Sequence, residues 1–123
     1  MCKVLILDDD LFGAQTVKMV IESNSNNTAE IFITASEAVN RVAISVQKGR
    51  PFEAFLIDQQ LGAGESGIEV MKELKKISPD TETIIFTGYG DSANGLNAYR
   101  AGAFRYLAKP SRHSNRLRYT RNP

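Results

Sequence analysis

Apolar positions along this chain fall into two rhythms that take turns from the first residues onward. Short runs rich in β-branched and aromatic residues stand at 3–7 (KVLIL), 29–33 (AEIFI), 52–57 (FEAFLI), 82–86 (ETIIF) and 104–107 (FRYL), and read as strands. Between them the apolar spacing turns helical. Over 35–48, Ala35, Val39, Val42, Ala43 and Val46 share one face, and over 67–77 Val70, Leu74 and Ile77 do the same. A first helix over 11–22 turns Ala14, Val17 and Ile21 inward. A fourth over 92–101 opens behind Asp91, a good N-cap, and stops at Gly102, a good C-terminal stop.

Strand and helix therefore alternate as βα units. The near-continuous apolar strands 3–7 and 52–57 read as buried on both faces, as in a parallel sheet covered by helices. The fold this predicts is α/β, a doubly wound five-stranded parallel sheet in the flavodoxin-like order 2-1-3-4-5. In that order strands 1 and 3 meet at the topological switch point, where ligands bind at the strands' carboxyl ends.

Composition narrows the class. The chain has 123 residues, 42% apolar and 24% charged, which suits one domain able to bury a core without a disulfide or a metal. No apolar run reaches the length of a membrane span or of a signal peptide, and the single Cys2 has no internal partner. The expectation is a cytoplasmic domain. A net charge of +1 hides an asymmetry: residues 1–109 carry −3, and 110–123 carry +4 from Arg112, Arg116, Arg118 and Arg121. Short basic ends of this kind are most often solvated.

The chemistry stands at the predicted strand ends. Strand 1 ends in Asp8-Asp9-Asp10, strand 3 in Asp58, strand 4 in Thr87 and strand 5 in Ala108-Lys109-Pro110. A parallel sheet brings all of these to one edge. Gathered carboxylates repel one another unless a cation sits between them, and a hard divalent ion such as Mg²⁺ suits an all-oxygen set. Carboxylate, metal, ammonium and hydroxyl together suit a phosphoryl group, with Asp58 on the central strand as nucleophile. No Gly-rich phosphate loop is present, so a nucleotide is not expected here. Asp10 is expected to cap the first helix.

The series VLILDDD, FLIDQQL, IIFTGYG and FRYLAKP resembles the receiver domain of bacterial two-component response regulators over residues 1–110. The resemblance implies a 4-aspartylphosphate formed on Asp58 by a histidine kinase or phosphotransfer protein. It implies Mg²⁺ held by Asp8, Asp9, Asp58 and the backbone carbonyl of Gln60, with Asp9 the more direct ligand of the acidic pair. Thr87 matches the switch hydroxyl, Gly88 the small residue after it, Tyr106 the aromatic that changes rotamer with it, and Lys109 the phosphate-contacting lysine, before a cis bond to Pro110. Such a module phosphorylates and dephosphorylates itself and is no turnover enzyme. Its output surface would be the face of the fourth helix and strand 5, toward an effector domain or downstream protein; nucleic acid enters only indirectly, and a membrane not at all.

Two departures stand out. The family has Pro four residues after the acceptor and Gly eight after it; here Gly62 stands in place of the Pro, and Gly67 comes nine residues after Asp58. The loop 61–66 is one residue longer and expected to be mobile. Beyond 110, only Leu117 and Tyr119 are large and apolar, two apart, so the last helix is weak or missing and 111–123 reads as a basic tail. The uncovered first-helix side then favours a homodimer. Two alternatives remain: a receiver-like interaction module independent of phosphorylation, and a Mg-dependent aspartyl phosphatase of haloacid-dehalogenase type, which Asp8-Asp9-Asp10 resembles as an Asp-x-Asp run. The latter lacks the Thr expected at Phe12 and a later acidic pair, since Gln59-Gln60 follow Asp58.

Overall fold

The computed structural model describes residues 2–62, 66–87 and 105–108, with only the backbone of Thr87 and of 105–108. The expected fourth helix over 92–101, Gly88, Lys109, Pro110 and the tail 111–123 lie outside the described residues.

Eight elements follow one another: β1 (Cys2–Leu7), α1 (Leu11–Glu22), β2 (Asn27–Phe32), α2 (Ala35–Gln47), β3 (Ala54–Asp58), α3 (Gly67–Ile77), β4 (Glu82–Thr87) and β5 (Arg105–Ala108). The strands form one parallel sheet in the order β2-β1-β3-β4-β5, as the alternation predicts. Strand side chains alternate between faces, so β1 serves two cores at once. Leu5 and Leu7 join Phe55, Ile57 and Ile85 under α2 and α3, where Val42, Met71 and Leu74 are fully buried. Val4 and Ile6 face the other way, with Ala14, Val17 and Ile21 of α1 and Ala29 of β2. Each fully buried Leu or Phe in these layers contributes roughly 1.5–3 kcal/mol.

The helices begin where the sequence offers caps. Asp10 accepts a hydrogen bond from the Gly13 amide at the start of α1, and Thr34 accepts one from Glu37 at the start of α2. Such caps are each worth about 1 kcal/mol. At the far end of α2, Gly49 takes φ +72°, a conformation in which any Cβ would be strained.

Several boundaries differ from the sequence reading. On α2 the buried seam is Ala35, Ala38, Val42 and Ser45, while Val46 is 38% exposed. The apolar count along the helix led toward Val46, but the seam follows small residues that let the helix sit close to the sheet. Strand β2 begins at Asn27 and stops at Phe32, leaving Ile33 exposed. Strand β3 begins at Ala54, because Phe52 is held before it: Phe52 is buried beneath the Lys3 ammonium, 4.5 Å from its ring centroid, and the Arg41 guanidinium at 5.4 Å. On the α1 side of β3, Ala54 and Leu56 are half-buried and pack against the cluster of Val4, Ile6, Ala14 and Ala29. Among the described residues no helix is long and apolar enough to cross a membrane.

Arg41 ties α2 to β2 through Glu30, with Nε donating to Oε1 at 2.8 Å and Nη2 to Oε2 at 3.0 Å. This two-pronged bond holds the Glu30 carboxyl below its usual range and raises Arg41 further. A carboxylate whose folded pKa is depressed stabilises the fold above its unfolded value, here 4.5, and that contribution disappears as pH falls through the lower folded value. The pair is partly solvated, so its worth is about 1 kcal/mol or less. Glu30→Gln should therefore lower the urea midpoint slightly at pH 7, and the gap from wild type should close on acidification below 4.5.

Candidate functional site

The register of β1 on β3 pairs Leu7 with Ile57, so the next residue of each strand is an aspartate, Asp8 beside Asp58. Asp58 in turn pairs with Phe86, one residue before Thr87, and Thr87 pairs with Ala108. The switch point of the sheet thus carries two adjacent acids, with the Thr87 backbone one step along the next strand. Asp8 is 1% exposed and Asp58 6%, while Asp9 is exposed. One carboxylate oxygen from each of the three lies within 4.8 Å of the others. Their grouping is an acidic cluster able to hold a metal ion, with two ligands inside the fold and one at its surface.

Backbone amides orient the two buried acids. The Asp10 amide donates to Asp8 Oδ1 at 2.9 Å, and the Gln60 amide donates to Asp58 Oδ1 at 3.2 Å. Each bond joins a strand-end acid to the amide two residues on and turns the chain just after its strand. The Asp8 amide also donates to the Phe32 carbonyl, and the Gln59 amide to the Phe86 carbonyl, so sheet pairing extends to the acids themselves. Asp10 accepts the α1 cap bond and is not one of the three grouped carboxylates.

From sequence, the glycines after Asp58 read as sources of backbone freedom. At Gly67 the structure gives a different reason. An added Cβ there would overlap the Asp58 carbonyl oxygen and crowd the Gln59 Cα at 2.9 Å. The Gly67 amide donates to the Gln59 carbonyl at 2.8 Å, and Gln60 bridges to Ser66 in antiparallel fashion. α3 therefore starts directly against the backbone of the Asp58 turn, and only glycine permits that approach. The glycine-rich composition was visible in the sequence; the contact was not, because it depends on how closely α3 seats against β3. Gly62 differs: a Cβ there would meet only the end of a side chain, Asp9 Oδ2 at 3.1 Å, among the described atoms outside its chain neighbours.

Residues 4–120 match the family model of the response regulator receiver domain. The chain belongs to that family. Receivers are the phosphoacceptor signalling domains of two-component response regulators, and this receiver has their parallel-sheet fold. It is 34% identical over 108 residues to the acid tolerance regulatory protein ActR of Sinorhizobium medicae, covering 88% of this chain and 52% of that protein. It is 32% identical over 108 residues to the photosynthetic apparatus regulatory protein RegA of Rhodobacter capsulatus, covering 88% of this chain and 55% of that one. The chain thus spans about half the length of these curated relatives. Among solved structures, a response regulator of Burkholderia pseudomallei with a phosphorylated aspartic acid, calcium ion and citrate superposes with a TM-score of 0.78 at 26% identity, over 95% of this chain and 65% of that one. A CheY-like receiver of Methanospirillum hungatei gives 0.77 at 27% identity, over 98% and 90%.

The receiver's packing at Gly67 yields a direct test. Gly67→Ala forces either α3 or the Asp58 turn to move, with a cost of about 1–3 kcal/mol for a contact of this kind. Urea unfolding should report that loss, and the amide resonances of Asp58 to Gln60 should shift in the same variant.

Proposed function

We propose that Asp58 is the phosphoacceptor of this receiver, and that Asp8, Asp9, Asp58 and the Gln60 backbone carbonyl hold the Mg²⁺ its chemistry requires. The observation that carries the reading is the three-carboxylate cluster at the switch point, with Asp58 at the end of a central strand. An all-oxygen, anionic donor set suits a hard divalent cation over metals that prefer thiolate or imidazole. When bound, such an ion would neutralise charge on the phosphoryl oxygens.

The remaining chemistry belongs to the chain. A carboxylate oxygen of Asp58 attacks the phosphorus of a phosphohistidine on a histidine kinase or phosphotransfer protein. An O–P bond forms and the P–N bond breaks, its electron pair remaining on the imidazole nitrogen; the product is an acyl phosphate. The Gln60 amide holds Asp58 Oδ1, which limits rotation of the nucleophile before attack. By resemblance, Lys109 meets the phosphoryl oxygens, and Thr87 and Tyr106 carry the switch. The parallel register is consistent with those roles, since Thr87 ends β4 and Tyr106 pairs with Ile85 beside it. The output is then read by an effector domain or downstream protein on the β5 side.

Incubation with acetyl phosphate and Mg²⁺ should add one phosphoryl mass to the intact protein, and Asp58→Asn should abolish it. Asp9→Asn and Lys109→Ala should each slow labelling about tenfold or more. Label persisting in Asp58→Asn would place the nucleophile elsewhere. Millimolar Mg²⁺ should also raise Tm by about a few degrees, through binding to the folded state alone, and an excess of chelator should reverse the rise.

A further inference from the structure

Strand β2 is the outer edge of the sheet, with β1 on one side and no strand on the other among the described residues. The Cys2 amide donates to the Asn26 carbonyl and the Asp8 amide to the Phe32 carbonyl, so the even-numbered residues of this stretch turn their backbone groups toward β1. Asn27, Ala29 and Ile31 therefore turn theirs to the open edge, and an open edge is a template on which another strand can pair. At its centre, side chains take both groups of Ala29. Lys18 Nζ donates to the Ala29 carbonyl at 2.7 Å, and Glu22 Oε2 accepts from the Ala29 amide at 3.0 Å. The two side chains meet each other at 3.1 Å. The Glu22 carboxyl lies below its usual range, first because of the Ala29 amide and then because of Lys18.

We propose that Lys18 and Glu22 cap the β2 edge against a second copy of this chain: together they occupy the donor and the acceptor through which two β2 strands would pair about a two-fold axis. Lys18 and Glu22 each follow an inward residue of α1, Val17 and Ile21, and so stand on the flank of the helix from which they reach Ala29. An ion pair at this spacing on a helix surface is ordinarily worth little. Here each charge also holds a backbone group that an incoming strand would need. A second copy is the partner that the strand's own sequence suits. In an antiparallel pairing centred on Ala29, the two Ala29 residues would exchange both of their hydrogen bonds, with Thr28 opposite Glu30 and Asn27 opposite Ile31. No like charges are opposed in that register, and Arg41 already neutralises Glu30 from within each molecule.

The test compares the full chain with its Lys18→Ala/Glu22→Ala variant, by residue-resolved amide exchange and by sedimentation over a range of concentrations. In dilute solution the Ala29 amide should exchange about tenfold or more faster in the variant. As concentration rises, the variant should gain mass relative to wild type, and slow exchange should return at Ala29 and Ile31. The pair Lys18→Arg/Glu22→Gln keeps a donor and an acceptor at similar reach, so it should behave as wild type, which a role through net charge alone would not allow. An unchanged Ala29 exchange rate in the alanine variant would overturn the cap. Faster exchange without a gain in mass, a gain in mass that leaves Ala29 and Ile31 exchanging freely, or equal association of the conservative pair would overturn the proposed partner. Should the alanine variant fail to fold, Glu22→Ala, which frees the Ala29 amide alone, carries the same comparison.

Discussion

Everything at the site depends on the pairing of β1 with β3. Two apolar strands lie side by side in parallel, and the register that pairs Leu7 with Ile57 delivers an aspartate from each to the same depth. Burying two acids next to one another opposes folding, because each loses hydration and repels the other. The fold carries that load on the leucines, isoleucines and phenylalanines directly behind: Leu5, Leu7, Phe55 and Ile57 are all fully buried. Amide donors to Asp8 and Asp58 then compensate part of the lost solvation. Strain and support sit within two residues of each other along the same strands.

That closeness explains what the sequence disclosed. The alternation of apolar runs with helical stripes is a one-dimensional record of which side chains face inward, and it sufficed for the sheet order and for α1 and α3 to their end residues. The acids were legible because each directly follows an apolar run, and a parallel sheet brings such endings together without further information. Val46 and Phe52 were misplaced for a different reason. Periodicity counts apolar residues, whereas the actual seam of α2 uses Ala38 and Ser45 because they are small, and Phe52 is covered by the cations of Lys3 and Arg41 before the strand begins. Those choices depend on interlayer distance and on side chains far apart in the chain.

The glycines show the same limit at the site. A glycine-rich loop suggests freedom, yet Gly67 is present because two backbones touch, and the bare Cα of Gly62 borders a carboxylate. Both meanings produce the same letters in the sequence. The three consecutive aspartates likewise divide into a buried acid, an exposed one and a helix cap, an assignment that follows from where β1 stops and α1 starts.

The cross-link at the base of the 60–66 loop bears on how this molecule tolerates change. Gln60 bridges to Ser66, and the Gly67 amide closes on the Gln59 carbonyl, so the two ends of the loop are clamped to each other immediately outside the Asp58 turn. A clamp of that kind separates length from geometry. Between closed ends, the entropic penalty of lengthening a loop grows only logarithmically. A tag or reporter peptide inserted between the clamped residues should consequently leave the Asp58 turn in place.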